Sequence, residues 1–228
     1  VKRLIAYAHS ADTSLQREVA ETLANEAVVT SRQILIVQNG GLDLLLPLTV
    51  SEDTEVRRLA AHALANLSVH PDNQIKMAQQ GGIEMIISIL TKEGESDQAL
   101  RQCSKALANL GVNTENKTLI AKRGGIEPLI KLLHYGCVGV KIEAAAALAN
   151  LAVDDGNEVL IGELGGLDPL LEALTHPDPD LVSQAARALR NLSVHPNNKT
   201  VLLDLHARST LEMVIEQSSG VTKQQCVR

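Results

Sequence analysis

The stretch NQIKMAQQGGIEMIISILTKEGESDQALRQCSKALANL, residues 73–110, decides the fold. Asn73 to Gln80 reads as a short helix ended by Gly81-Gly82. Ile83 to Thr91 reads as a second helix, with Ile83, Ile86, Ile87 and Leu90 on its apolar face. After the acidic, glycine-containing Lys92 to Ser96, a longer third helix runs to about Leu110, and Ala99, Cys103, Ala106, Leu107 and Leu110 fall at helical spacing. The glycine pair has a conformational reason. A sharp turn between two short helices needs one residue in the left-handed region and room for two backbones to approach.

The same three-part pattern returns along the chain. Its closing asparagines are Asn25, Asn66, Asn109, Asn150 and Asn191, spaced by 41, 43, 41 and 41 residues. Glycine pairs at 40–41, 81–82, 124–125 and 165–166 follow the first four at a constant interval. Two independent markers therefore keep one register. A unit of this length cannot bury its own apolar face, so neighbours must stack on it, which predicts an all-α solenoid. A phosphate-cradling loop is the competing reading of the glycines, but no Gly-Lys-Ser/Thr follows and the pair recurs four times.

Composition agrees. Of 228 residues 45% are apolar but only 1% aromatic, Tyr7 and Tyr135, so the core is aliphatic, which favours helices over strands. A net charge of −6 is repelled by phosphate backbones and excludes a general nucleic-acid binder. Cys103, Cys137 and Cys226 are odd in number and lack metal-ligand spacing, so no disulfide framework, zinc site or cofactor is expected, and a reducing cytoplasmic compartment fits. No run approaches the roughly 18 apolar residues of a membrane span. Cys226 stands third from the last residue, where prenylation needs it fourth.

The pattern Asn-x-x-x-[Ile/Val]-x-x-x-Gly-Gly-[Ile/Leu]-[Glu/Asp], then an apolar helix, then Ala-Leu-Ala-Asn-Leu, closely resembles the armadillo repeat. Asn73 to Glu84 and Asn116 to Pro128 carry the motif, and the resemblance covers essentially the whole chain. It implies a right-handed α-solenoid with three helices per repeat and a period of about 41. Repeat units are expected at about 1–30 (cut at its start), 31–70, 73–113, 116–154 and 157–195, with terminal helices at 197–217 and a frayed tail at 218–228. His206-Ala207 stand where the fifth glycine pair belongs, as suits a terminal repeat with one face toward water.

In armadillo proteins the third helices line a concave binding surface, and the late asparagine resembles the residue whose amide holds the backbone of an extended peptide. The resemblance carries that role to Asn66, Asn109, Asn150 and Asn191. The alternative is that each amide satisfies a carbonyl of its own loop. Residues eight and four before each asparagine share its face. At minus eight stand Arg17, Arg58, Arg101, Ile142 and Ser183; at minus four stand Glu21, His62, Lys105, Ala146 and Arg187. Counted this way the stripe is basic on an acidic chain, so the groove is expected to prefer an acidic peptide, with an apolar contact at Ile142 and Ala146. Nuclear import receptors of this family carry tryptophans at minus four and bind basic signals; His62, Lys105, Ala146 and Arg187 there disfavour that role.

Enzyme readings fare poorly. Ser68-Val69-His70-Pro71-Asp72 has the residue types of a nucleophile, base and orienter, but Ser193-Val194-His195-Pro196-Asn197 repeats it without the Asp, which marks it as architecture. The expectation is thus a non-catalytic, monomeric protein scaffold on the cytosolic side. Small adaptors of the family built almost wholly of such repeats are acylated at their N-terminus, and such an anchor upstream of Val1 would suit a tether between an organelle and a motor or signalling partner. A repeat segment of a larger signalling or cytoskeletal protein is the other expectation.

Overall fold

The computed structural model describes residues 2–217, so the expected frayed tail, with Cys226, lies outside the described residues. Those residues form helices without a strand, and they fall into two compact units, residues 1–123 and 124–228.

The first unit holds α1 (Lys2–Ala8), α2 (Thr13–Val28), α3 (Thr30–Gln38), α4 (Gly41–Thr49), α5 (Thr54–Leu67), α6 (Pro71–Gln79), α7 (Gly82–Leu90), α8 (Asp97–Leu110) and α9 (Thr114–Lys122). The three helices expected from residues 73–110 are α6, α7 and α8, within two residues at each end. The long helices α2, α5 and α8 lie side by side, and α4 and α7 pack behind α5 and α8. Ala60, Ala61, Ala63 and Ala65 of α5 are fully buried, which is why Ala-Leu-Ala-Asn recurs: methyl side chains let long helices approach closely while the leucines fill the layer behind.

The second unit holds α10 (Ile126–Tyr135), α11 (Val138–Leu151), α12 (Asp155–Glu163), α13 (Leu167–Ala173), α14 (Pro179–Leu192), α15 (Pro196–Asp204) and α16 (Ala207–Gln217). Here α11 and α14 lie side by side, backed by α10 and α13. The terminal helices expected at 197–217 are α15 and α16.

Starts and stops follow the chemistry of helix ends. Asp12, Asp53, Ser96 and Asp178 cap α2, α5, α8 and α14, each side chain accepting from amides of the first turn. The first glycine of every pair takes a left-handed conformation, with φ between 76° and 79° at Gly40, Gly81, Gly124 and Gly165. The second must be small: a Cβ on Gly82 would lie 2.9 Å from the Met77 carbonyl oxygen. In the last repeat the turn survives without its glycine, for His206 adopts φ 57°.

The 43-residue interval has a structural reason too. The longer α7–α8 loop carries Glu95 inward, where its buried carboxylate pairs with the Nε of Arg57 on α5. Arg57 also donates from Nη1 to the Ser51 carbonyl at 2.6 Å. The ion pair ties two neighbouring repeats through side chains that are 2% and 0% exposed.

Candidate binding face of the third helices

In each unit the residues at minus eight, minus four and the asparagine lie on the open side of the long helices. Arg101 and Lys105 are exposed; Arg58, His62, Asn66 and Asn109 in the first unit, and Ile142, Ala146, Asn150, Arg187 and Asn191 in the second, are half-buried.

The asparagine amides do something that neither expectation described. Asn109 Nδ2 donates to the Ser68 hydroxyl at 3.1 Å and the Ala65 carbonyl at 3.4 Å, both on the preceding long helix. Asn191 Nδ2 likewise donates to the Ala149 carbonyl at 2.9 Å. The donor half of these amides thus reaches a carbonyl near the end of the neighbouring long helix, rather than one in its own loop; the Ala65 carbonyl also accepts from Ser68 Oγ. That leaves Oδ1 of Asn109 for a partner, and Oδ1 with the second Nδ2 hydrogen of Asn191. Asn66 differs: its Nδ2 is buried and has no acceptor.

A second amide ladder sits deeper, and the sequence reading assigned it no role. Asn73 Nδ2 donates to the Gln33 and Leu67 carbonyls, both at 3.0 Å, and Asn198 Nδ2 to the Glu158 and Leu192 carbonyls, both at 3.0 Å. Asn116 Nδ2 donates to the Gln74 carbonyl and Asn157 Nδ2 to the Leu151 carbonyl. The signal was available: these four asparagines keep the 43, 41, 41 spacing just as Asn66, Asn109, Asn150 and Asn191 do.

The basic stripe is less positive than residue counting makes it. Arg17 reaches the α5 cap Asp53 at 2.5 Å, and Arg58 grips Glu55 with two bonds of 2.6 and 2.7 Å. Each pair holds its arginine above and its carboxyl below the ordinary value, chiefly through the shared hydrogen bond. Asp53 and Glu55 escaped the count because they belong to the helix start, three to five residues before the face repeats. His62 is pushed below its ordinary value by burial and then by the charges of Arg58 and Lys105, which favours the neutral ring at neutral pH. Lys105 forms no ion pair among the described residues.

In the second unit Arg187 stands apart. Its Nη2 donates to the Ala146 carbonyl at 3.2 Å, its Nε is buried without an acceptor, and no carboxylate among the described residues pairs with it. Burial, then the charge of Arg190, lowers its pKa from the usual arginine value. A half-desolvated guanidinium beside the Ala146 turn of α11 is a ready donor to a carboxylate brought from outside.

The Ser68-His70 segment is engaged in the backbone. Ser68 Oγ donates to the Ala65 carbonyl, and His70 Nδ1 accepts from the Asp72 amide at the start of α6. Cys103 lies fully buried, with its thiol raised by burial and by Glu95. Among the described residues no helix is long and apolar enough to cross a membrane, and no group of His, Cys, Asp and Glu could hold a metal ion.

The model of the Armadillo/beta-catenin-like repeat matches residues 32–69, 113–153 and 154–194, more than half of the chain. The chain belongs to this armadillo-repeat family. Among solved structures, an engineered protein from a structural genomics programme is 31% identical with a TM-score of 0.88, over 99% of this chain and 92% of that one. A computationally designed armadillo repeat protein for modular peptide recognition is 22% identical with a TM-score of 0.89, over 98% and 95%. A designed armadillo repeat protein in complex with the peptide (KR)4 is also 22% identical, with a TM-score of 0.86 over 98% and 95%. The last two establish the solenoid fold of stacked three-helix repeats and nothing finer. No curated protein sequence matches the chain.

Proposed function

We propose that this armadillo protein is a non-catalytic scaffold that holds an extended or helical acidic segment of another protein against the open face of its long helices. The observation that carries this reading is Arg187, a half-buried cation that no carboxylate among the described residues pairs with. Isolated charge is costly to bury, and a partner carboxylate relieves that cost where water is excluded. Lys105 offers a second cation at the same repeat position in the first unit, and Asn109 and Asn191 offer amide oxygens to partner N–H groups. The designed relative solved with (KR)4 takes a basic peptide; the cations at minus four here favour the opposite sign. In the same reading the protein works on the cytosolic side, linking a membrane or organelle to a motor or signalling partner, and the exposed thiol of Cys137 suits a reducing compartment.

The test is fluorescence anisotropy with labelled (Glu-Leu)4 and (Lys-Arg)4 peptides at two salt concentrations. The acidic peptide is expected to bind, more weakly at higher salt, and Arg187→Ala to weaken it about tenfold, the roughly 1.4 kcal/mol of a charge-assisted contact. Equal or tighter binding of the basic peptide overturns the reading.

A further inference from the structure

The second unit has another surface, away from that face. Between α14, α15 and α16 lies an open cleft of about 610 Å³, with Leu171, Leu189, Leu202, Leu211 and Ile215 in its lining. That size is within the range of roughly 300–1,000 Å³ typical of binding sites. Its edge carries Arg190, Lys199, Arg208 and Glu212. Glu212 is taken by Arg208 at 3.0 Å, and Arg190 and Lys199 have no carboxylate partner among the described residues.

The first unit shows what shape such a surface receives. There Ala61, Leu64, Ala65 and Ser68 of α5 are fully buried, and α8 packs beside them with Asn109 reaching Ala65 and Ser68. The residues of α14 in the same register are Ala186, Leu189, Arg190 and Ser193, and all four line the cleft. The cleft is therefore a seat shaped for a helix.

Arg190 selects which helix. Ala65, Ala108 and Ala149 hold its place in α5, α8 and α11 and are 0%, 7% and 1% exposed, whereas Arg190 is half-buried. An arginine there fills the room that close helix packing needs and must carry its guanidinium to the edge. An occupant meets leucines at the centre and cations along its flank. We infer that this cleft binds an amphipathic helix of a partner protein, with leucine-like residues on the buried face and Asp or Glu on the edge that passes Arg190 and Lys199. Apolar anchors in the centre supply most of the affinity, and the rim charges set orientation and choice of partner.

The test uses the full chain and two labelled 14-residue helical peptides with leucine at i, i+3, i+4 and i+7, one flanked by Glu and one by Lys. The Glu peptide is expected to bind at least tenfold tighter. Arg190→Glu with Lys199→Glu is expected to reverse that preference while the circular dichroism melt stays unchanged, and Leu211→Glu to weaken both peptides tenfold or more. Lys105→Glu, which alters only the face used by the proposed acidic segment, is expected to leave this binding intact, so the two readings fail separately. Equal binding of both peptides overturns the inference, as does a preference that survives the double charge reversal. It is also overturned if removing residues 218–228 raises affinity tenfold, which makes the chain's own tail the occupant. A concentration-dependent dimer in sedimentation that Leu211→Glu abolishes, making a second copy the occupant, overturns it likewise.

Discussion

Glu95→Gln is expected to be among the most damaging isosteric changes in this protein. It removes one charge and almost no volume, but it leaves the Arg57 guanidinium at 2% exposure facing only neutral acceptors, the new amide oxygen and the Ser51 carbonyl. Breaking a buried ion pair from one side costs about 3–5 kcal/mol, because the surviving charge stays desolvated. Replacing both partners with apolar residues, as in Arg57→Met with Glu95→Met, removes the burden with the bond, and the double variant is expected within about 1 kcal/mol of the parent protein. Urea unfolding followed by circular dichroism at pH 7 checks this. With a slope of about 2 kcal/mol per molar, the Glu95→Gln midpoint falls by about 2 M. Slope and midpoint are both needed, since neighbouring repeats in a solenoid can unfold separately. A loss below about 1 kcal/mol at unchanged slope, or a double variant as unstable as the single, refutes the argument that the α7–α8 insertion exists to seat this pair.

Three further outcomes are expected. His206→Gly relieves the left-handed backbone at φ 57° and is expected to raise stability by about 1 kcal/mol in the same assay; a loss would show that the imidazole contributes more than the strain costs. Asn73→Ala orphans the buried Leu67 carbonyl at the end of α5 and removes a second bond to the Gln33 carbonyl, and is expected to cost about 2–3 kcal/mol, whereas Asn109→Ala, with its longer bonds, is expected to cost about 1 kcal/mol; equal losses would contradict the ranking. For His62 the sign follows from its lowered pKa: the unfolded chain binds a proton more readily than the folded one, so its contribution is fully present above the unfolded value of about 6.5 and declines as pH falls below it. His62→Gln is therefore expected to flatten the stability profile between pH 7 and 5, and an unchanged profile counts against the assignment.

What the amino-acid order determined is the repeating unit. Asparagine and glycine markers at intervals of 41 to 43 residues, with aliphatic spacing between them, dictate three helices per repeat, because those properties are local: helix periodicity, caps at Asp53 and Ser96, and a left-handed turn at Gly81. The turn at His206 shows the limit of that reading, since the neighbours impose on a histidine the conformation that glycine adopts freely elsewhere. Charge on the binding face was decided partly within one helix, where Arg58 meets Glu55 three residues before it, and partly by tertiary structure. Arg17 and Asp53 lie 36 residues apart and Arg57 and Glu95 lie 38 apart, so whether a cation faces solvent or a carboxylate depends on which loop the next repeat brings alongside. The same holds for the asparagine amides, whose acceptors sit on a different helix. Periodicity fixes which side of a helix a residue occupies, but only the packed neighbour fixes what its polar atoms touch.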